Sequence, residues 1–141
     1  MFTFDRILVP VDFSRYSMAA ASYGVALAKK LAGSQTVVFL NVVTEDVSVA
    51  SSRFGGRSGK ELARELKKVA REKLETFVAG IDPGEEILEF DVVVGRPPSE
   101  RICEYAAEHD FDMIVIGSAG EGAALRKLVL GSTTRQVGRY A

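Results

Sequence analysis

Two stretches of the chain carry residue types suited to binding a ligand. Asp12 ends the apolar run RILVPV and is followed two residues later by Ser14. Toward the other end, GSAGEGAALRKLVLGSTT runs from Gly117 to Thr134, with glycines at 117, 120, 122 and 131. Glycine removes the Cβ where backbone amides must approach an anion. Gly131-Ser132-Thr133 stands just ahead of a helical pattern, and the amino terminus of a helix favours negative charge. Amides and hydroxyls donate to phosphate, and a carboxylate accepts from sugar hydroxyls, so the two stretches together outline a phosphate cradle with a polar acceptor beside it. A flexible turn followed by ordinary N-cap residues has the same composition, and glycine spacing alone leaves both readings open.

Two commoner nucleotide signatures are excluded. The closest approach to G-x-x-x-x-G-K-[ST] is at Gly59-Lys60, where Phe54 stands in place of the first glycine and Glu61 in place of the hydroxyl. The segment VPVDFSRYS after the first apolar run contains no glycine, so the G-x-G-x-x-G of dinucleotide folds is missing as well.

Both stretches must be positioned by regular elements. RILVPVD lacks clear alternation, as expected of a strand covered on both faces. Ser14 is suited to cap a helix in which Ala20, Tyr23, Leu27, Ala28 and Leu31 form the inner face, with Gly33 as its stop. TVVFLNVV, from Thr36 to Val43, reads as a second buried strand. The serine- and glycine-rich segment from Thr44 to Gly59 is long enough for a flap or a disordered connector. From Lys60 a helix presents Leu62, Leu66, Val69, Ala70, Leu74 and Phe77 on one face, with Lys68–Glu72 and Arg71–Glu75 on a solvated one. ILEFDVVVG supplies a third strand, and Pro97, Pro98 and Ser99 open a short helix with Ile102, Cys103 and Ala106 inward. MIVIG, from Met113 to Gly117, is the fourth strand, and a last helix begins near Ser132. The order β-α-β-α-β-α-β-α, with right-handed crossovers, predicts an open parallel sheet with helices on both faces. In such sheets the ligand crevice lies at the carboxyl ends of the strands, where the strand order reverses.

Composition bounds what this fold can serve. With 141 residues, 47% of them hydrophobic and 26% charged, the expectation is one globular domain over residues 1–141. The 18 basic and 19 acidic residues leave a net charge of −1, so no summed field draws the protein onto nucleic acid or an anionic membrane. Cys103 is the sole cysteine, which rules out an intramolecular disulfide. Asp5, Arg6 and Asp12 interrupt any apolar signal core, and no apolar run reaches the ~18 residues of a membrane span. The expected location is the cytoplasm.

RILVPVDFS, TVVFLNVV, VGRPPSERI, DMIVIGSAG and LRKLVLGSTTRQV, in that order, resemble the universal stress protein family over nearly the whole chain. The resemblance implies a Rossmann-like fold of the adenine nucleotide alpha hydrolase type. The nucleotide-binding branch of the family carries G-x-x-G, nine residues, then G-[ST]; Gly117 and Gly120 match the first pair and Gly131-Ser132 the second, across an interval of ten residues. The extra residue requires a bulge in the loop. By resemblance the ligand is ATP with magnesium or manganese. Asp12 would hold ribose or a metal-bound phosphate, flanked by Pro10 and Val11, and the backbone near Val42 would meet adenine. Gly95 would admit the sugar, and Gly117, Gly120, Gly131, Ser132 and Thr133 would surround the phosphates. Family members usually continue into a fifth strand that often forms a dimer contact. That strand is not present before Ala141, so the resemblance allows a homodimer without specifying its interface.

Plainer roles compete with these. Asp12 also suits a helix start, and Arg126 and Lys127 suit solvent as readily as phosphate. His109 has no second histidine to share a metal with, and Cys103 lies on an apolar face. No Ser-His-Asp arrangement can be drawn, and no catalytic residue is identified. The sequence therefore points to an ATP-binding sensor or regulator in stress response, with ATP turnover at most slow or partner-dependent. The alternatives are a family member without nucleotide that acts as an interaction module, and a nucleotide-using transferase or hydrolase on a related scaffold.

Overall fold

The computed structural model describes residues 5–31, 35–44, 59–82 and 87–117. Strand β1, Arg6–Pro10, leads through Ser14 into helix α1, Arg15–Lys30; strand β2, Thr36–Val43, follows. Helix α2, Gly59–Ala79, precedes strand β3, Ile87–Val94, and helix α3, Pro98–Glu108, precedes strand β4, Met113–Ile114. The four strands form a parallel sheet in the order β3-β2-β1-β4. The chain steps one way from β1 to β3 and returns across β1 to β4, so the order reverses between β1 and β4.

Alternation along the central strands separates two apolar layers. Ile7, Val9, Val37 and Phe39 face α1 and α2, where they meet Ala21, Val25, Ala28 and Leu74. Leu8, Val38 and Leu40 face α3 and meet Ile102, with Cys103 and Ala106 packed alongside. Side chains this deeply buried contribute roughly 1.5–3 kcal/mol each. The inner stripe of α1 is set by small residues, Ser17, Ala20, Ala21, Gly24 and Ala28, which seat the helix close to the sheet. Tyr23 falls outside that stripe and is 64% exposed, contrary to the expected inner face. Val69, expected beside Ala70, is likewise 55% exposed, because the buried line of α2 runs through Leu62, Ala70 and Leu74. In each case a neighbouring position one step round the helix takes the inward place.

Ladder parity explains where β4 stops. Even-numbered residues of β1 face β4: Asp112 N–H donates to the Arg6 carbonyl at 3.0 Å and Val115 N–H to the Leu8 carbonyl at 2.9 Å. Odd-numbered ones face β2: Thr36 N–H donates to the Asp5 carbonyl at 2.8 Å and Val11 N–H to the Leu40 carbonyl at 2.7 Å. The next residue due to face β4 is Pro10, which has no N–H to give. Register between the two strands ends at Leu8↔Ile114. The fourth strand is therefore Met113–Ile114 and not the expected 113–117. The paired register of β1 and β4 ends here, on the side where a ligand crevice belongs.

At the opposite end of the sheet the strands are clamped. Asp112 Oδ2 accepts the N–H groups of Asp5 and Arg6 at 2.9 and 3.0 Å, and Arg6 Nε donates to the His109 carbonyl at 3.0 Å. On the outer strand, Asp91 Oδ1 accepts the N–H of Val92 at 2.8 Å, covering an edge amide, and Tyr105 donates its hydroxyl to Asp91 Oδ2 at 2.8 Å.

Candidate functional site

The β1–α1 connection is a tightly bonded turn. Asp12 Oδ1 accepts the Ser14 N–H at 2.9 Å, the local pattern that short polar side chains favour. Ser14 Oγ accepts the Ser17 N–H at 3.3 Å and caps α1, so the capping role open to Asp12 belongs to Ser14. Ser17 Oγ donates to the Ser14 carbonyl at 3.0 Å and accepts the Asp12 N–H at 3.3 Å. Between them Phe13 adopts φ of 66°, a left-handed conformation that is unusual for a bulky residue and costs roughly 1–2 kcal/mol. Its ring packs edge-on against Phe77 at 6.4 Å, with Lys73 Nζ 5.5 Å from its centroid. The Asp12 carboxyl is exposed. Partial burial opposes its charge, but hydrogen bonding from Ser14, through its hydroxyl and its amide, outweighs that and holds it below its ordinary value. It is an ionised acceptor at neutral pH.

The segment after β4 meets this turn directly. A Cβ on Gly117 would lie 2.6 Å from the Tyr16 carbonyl oxygen. Pro10, Val11, Asp12 and Gly117 are thus gathered where the strand order reverses. Val42 and Gly95 lie at the same end of the sheet on β2 and after β3, Val42 being paired with Val93, and Gly95 N–H donating to the Val43 carbonyl at 3.0 Å. Arg96 Nε donates to the Thr44 carbonyl at 2.7 Å and ties those two strand ends together. The space a Cβ on Gly95 would fill holds the Arg101 side chain, with Nε at 2.6 Å and Cδ at 2.7 Å. Gly120, Gly131, Ser132 and Thr133, together with the helix expected near Ser132 and the pair Arg126 and Lys127, lie outside the described residues.

Among the described residues no group of three or more His, Cys, Asp or Glu side chains is placed to hold a metal ion. A cation beside Asp12 would need most of its ligands from phosphate and water, which suits magnesium. His109 caps α3 at the far end of the sheet, its ring 4.2 Å from that of Tyr105, remote from Asp12. Burial pushes the Cys103 thiol up, which keeps it a protonated apolar group. No helix among the described residues is long and apolar enough to cross a membrane.

Sequence reasoning missed Phe13, Ser17, Tyr16 and Asn41. The Asp-x-Ser pattern signals the turn, but only the chain's path shows Phe13 left-handed. Asn41 is the one polar residue in the strongly apolar part of β2, and that anomaly was legible.

The profile of the Universal stress protein family matches residues 3–141. Universal stress protein Sll1388 of Synechocystis is 30% identical over 142 residues, spanning 95% of this chain and 90% of that protein. Universal stress protein MJ0577 of Methanocaldococcus jannaschii is 28% identical over 145 residues, spanning 95% and 88%. Its solved structure superposes with a TM-score of 0.76 over 99% of this chain and 92% of that one, at 26% identity. A universal stress protein solved in complex with cAMP shares the fold at a TM-score of 0.59 and 17% identity, over 99% and 92%. A family profile over almost all of the sequence, carried on the parallel sheet that the solved relatives share, establishes that the chain belongs to the universal stress protein family.

Proposed function

We propose that the chain is a single-domain, cytoplasmic, ATP-binding universal stress protein that acts as a nucleotide-dependent sensor or regulator. The observation that carries this reading is the exposed Asp12 carboxyl on the hydrogen-bonded β1–α1 turn, at the carboxyl end of β1 where the strand order reverses toward β4. An acceptor-only carboxylate there suits ribose hydroxyls or a magnesium-bound phosphate. The fold holds an adenine nucleotide, cAMP, in another protein of the family. No base or electrostatic clamp for phosphoryl transfer is identifiable among the described residues, so turnover is expected to be slow or partner-dependent.

The test is mass spectrometry of ligand released from purified protein, then calorimetric titration of stripped protein with ATP and magnesium. Saturable binding is expected, weakened in D12A and in G120V, whose branched side chain would block close phosphate approach. Absence of both ligand and binding supports a second reading, an interaction module without nucleotide. Two observations favour that reading: the ten-residue interval between Gly120 and Gly131, and the filling of the Gly95 and Gly117 positions by Arg101 and Tyr16.

A further inference from the structure

Asn41 is a buried amide in a strand whose flanking positions are apolar. It is 8% exposed, whereas Val37, Phe39 and Leu40 are fully buried hydrocarbon. A central parallel strand favours Val, Ile or Leu throughout, and an amide buried without partners costs roughly 1–3 kcal/mol. Its position is explained by one contact: Asn41 Nδ2 donates to the Val11 carbonyl at 2.7 Å. Paired register between β1 and β2 ends at Pro10↔Leu40, so Val11 lies just past it, and the side chain carries the hold on β1 one residue beyond the strand.

That residue borders Asp12. The turn from Val11 to Ser17 contains the left-handed Phe13, and a conformation of that cost persists only where the surroundings over-determine it. Ser17 Oγ grips the Asp12 amide from α1, and Asn41 grips the Val11 carbonyl from β2. The peptide unit joining Val11 to Asp12 is therefore fixed at both ends, by two elements that neither residue belongs to.

We propose that Asn41 is a positioning residue of the nucleotide site, whose hydrogen bond to the Val11 carbonyl holds the Asp12 carboxylate in its binding orientation. This rests on the reading of Asp12 as a ligand to ATP. Asn41 touches no ligand in this role; it removes the orientational freedom that Asp12 would otherwise lose on binding.

Asn41→Val keeps a strand-forming side chain and deletes the donor; Asn41→Ala serves the same purpose if the valine variant does not fold. Two readouts are needed: calorimetric ATP–magnesium affinity, with and without D12N, and amide hydrogen exchange of Asp12 followed by NMR in ligand-free protein. We expect ATP affinity to fall about tenfold, equivalent to roughly 1.4 kcal/mol, with less than a twofold change in the D12N background. Exchange of the Asp12 amide should quicken about tenfold as the peptide unit it shares with Val11 loosens. A folded variant with unchanged affinity and unchanged exchange overturns the proposal, and so does an equal loss of affinity with and without the carboxylate. If the wild-type protein binds no ATP while the substitution still quickens exchange at Asp12, the hold of Asn41 on the turn stands and the nucleotide reading fails.

Discussion

The carbonyl oxygen of Tyr16 stands 2.6 Å from where a Cβ on Gly117 would lie. The first turn of α1 and the segment leaving β4 therefore approach backbone to backbone, just past the end of the paired register of β1 and β4. Gly117 matches the first glycine of a phosphate-binding pattern, yet its missing side chain is already required by the protein's own packing.

Gly117→Ala should destabilise the fold by about 1–3 kcal/mol, because the obstructing atom is main chain and the helix or the segment must shift. Urea unfolding with an unchanged slope measures this. Unaltered stability would show that the two segments separate without cost.

Gly95→Ala meets a different obstacle. Its Cβ would collide with the middle of the Arg101 side chain, whose Nη1 pairs with Glu104 Oε2 at 2.6 Å. The obstructing atoms are the middle of that side chain and not its tip, so Arg101 must leave its place and its ion pair with Glu104, and the change should cost about 1–3 kcal/mol. R101A should relieve it: in a double-mutant cycle the two changes are expected to be less than additive, and strict additivity would mean that Arg101 does not fill that space.

The exposed Asp12 links stability to acid. Its folded-state carboxyl is depressed, despite partial burial, by hydrogen bonding from Ser14. The stabilisation is present above the unfolded value of about 3.9 and is lost as pH falls through the lower folded value. The stability difference between wild type and D12N should therefore be constant near neutrality and shrink below about pH 4. A difference that persists unchanged in acid would contradict these hydrogen bonds.

Tyr105 gives the opposite sign at alkaline pH. Burial, then its hydrogen bond to Asp91 and that residue's charge, push the phenol well above its ordinary range. A raised folded value stabilises below the unfolded value of about 10 and loses that contribution as pH rises beyond it. Y105F should cost roughly 1 kcal/mol at neutral pH and flatten the alkaline decline. An identical alkaline profile in Y105F would assign the decline to other groups.

How much of this was legible in the chain depends on the range of the interaction. β2 has the boundaries the sequence predicts, Thr36–Val43, and Ser14 caps α1 as expected, because apolar runs and capping hydroxyls act through near neighbours. The alternation of strands and helices together with crossover handedness predicts a parallel sheet covered on both faces. The order β3-β2-β1-β4, with its reversal between β1 and β4, was decided by tertiary pairing.

What only the tertiary structure decided is which distant group meets each of these residues. That Gly95 accommodates Arg101, that Gly117 accommodates Tyr16, that Asn41 reaches Val11, and that Tyr23 and Val69 turn outward all depend on how separate elements pack. The shortening of β4 combines both levels. Pro10 is visible in the sequence, but its lack of a donor matters only because ladder parity turns that position toward β4. Local patterning specifies the elements through period and propensity. Close approach and hydrogen-bond pairing between remote residues exist only once those elements are docked, and these contacts hold Asp12 in place.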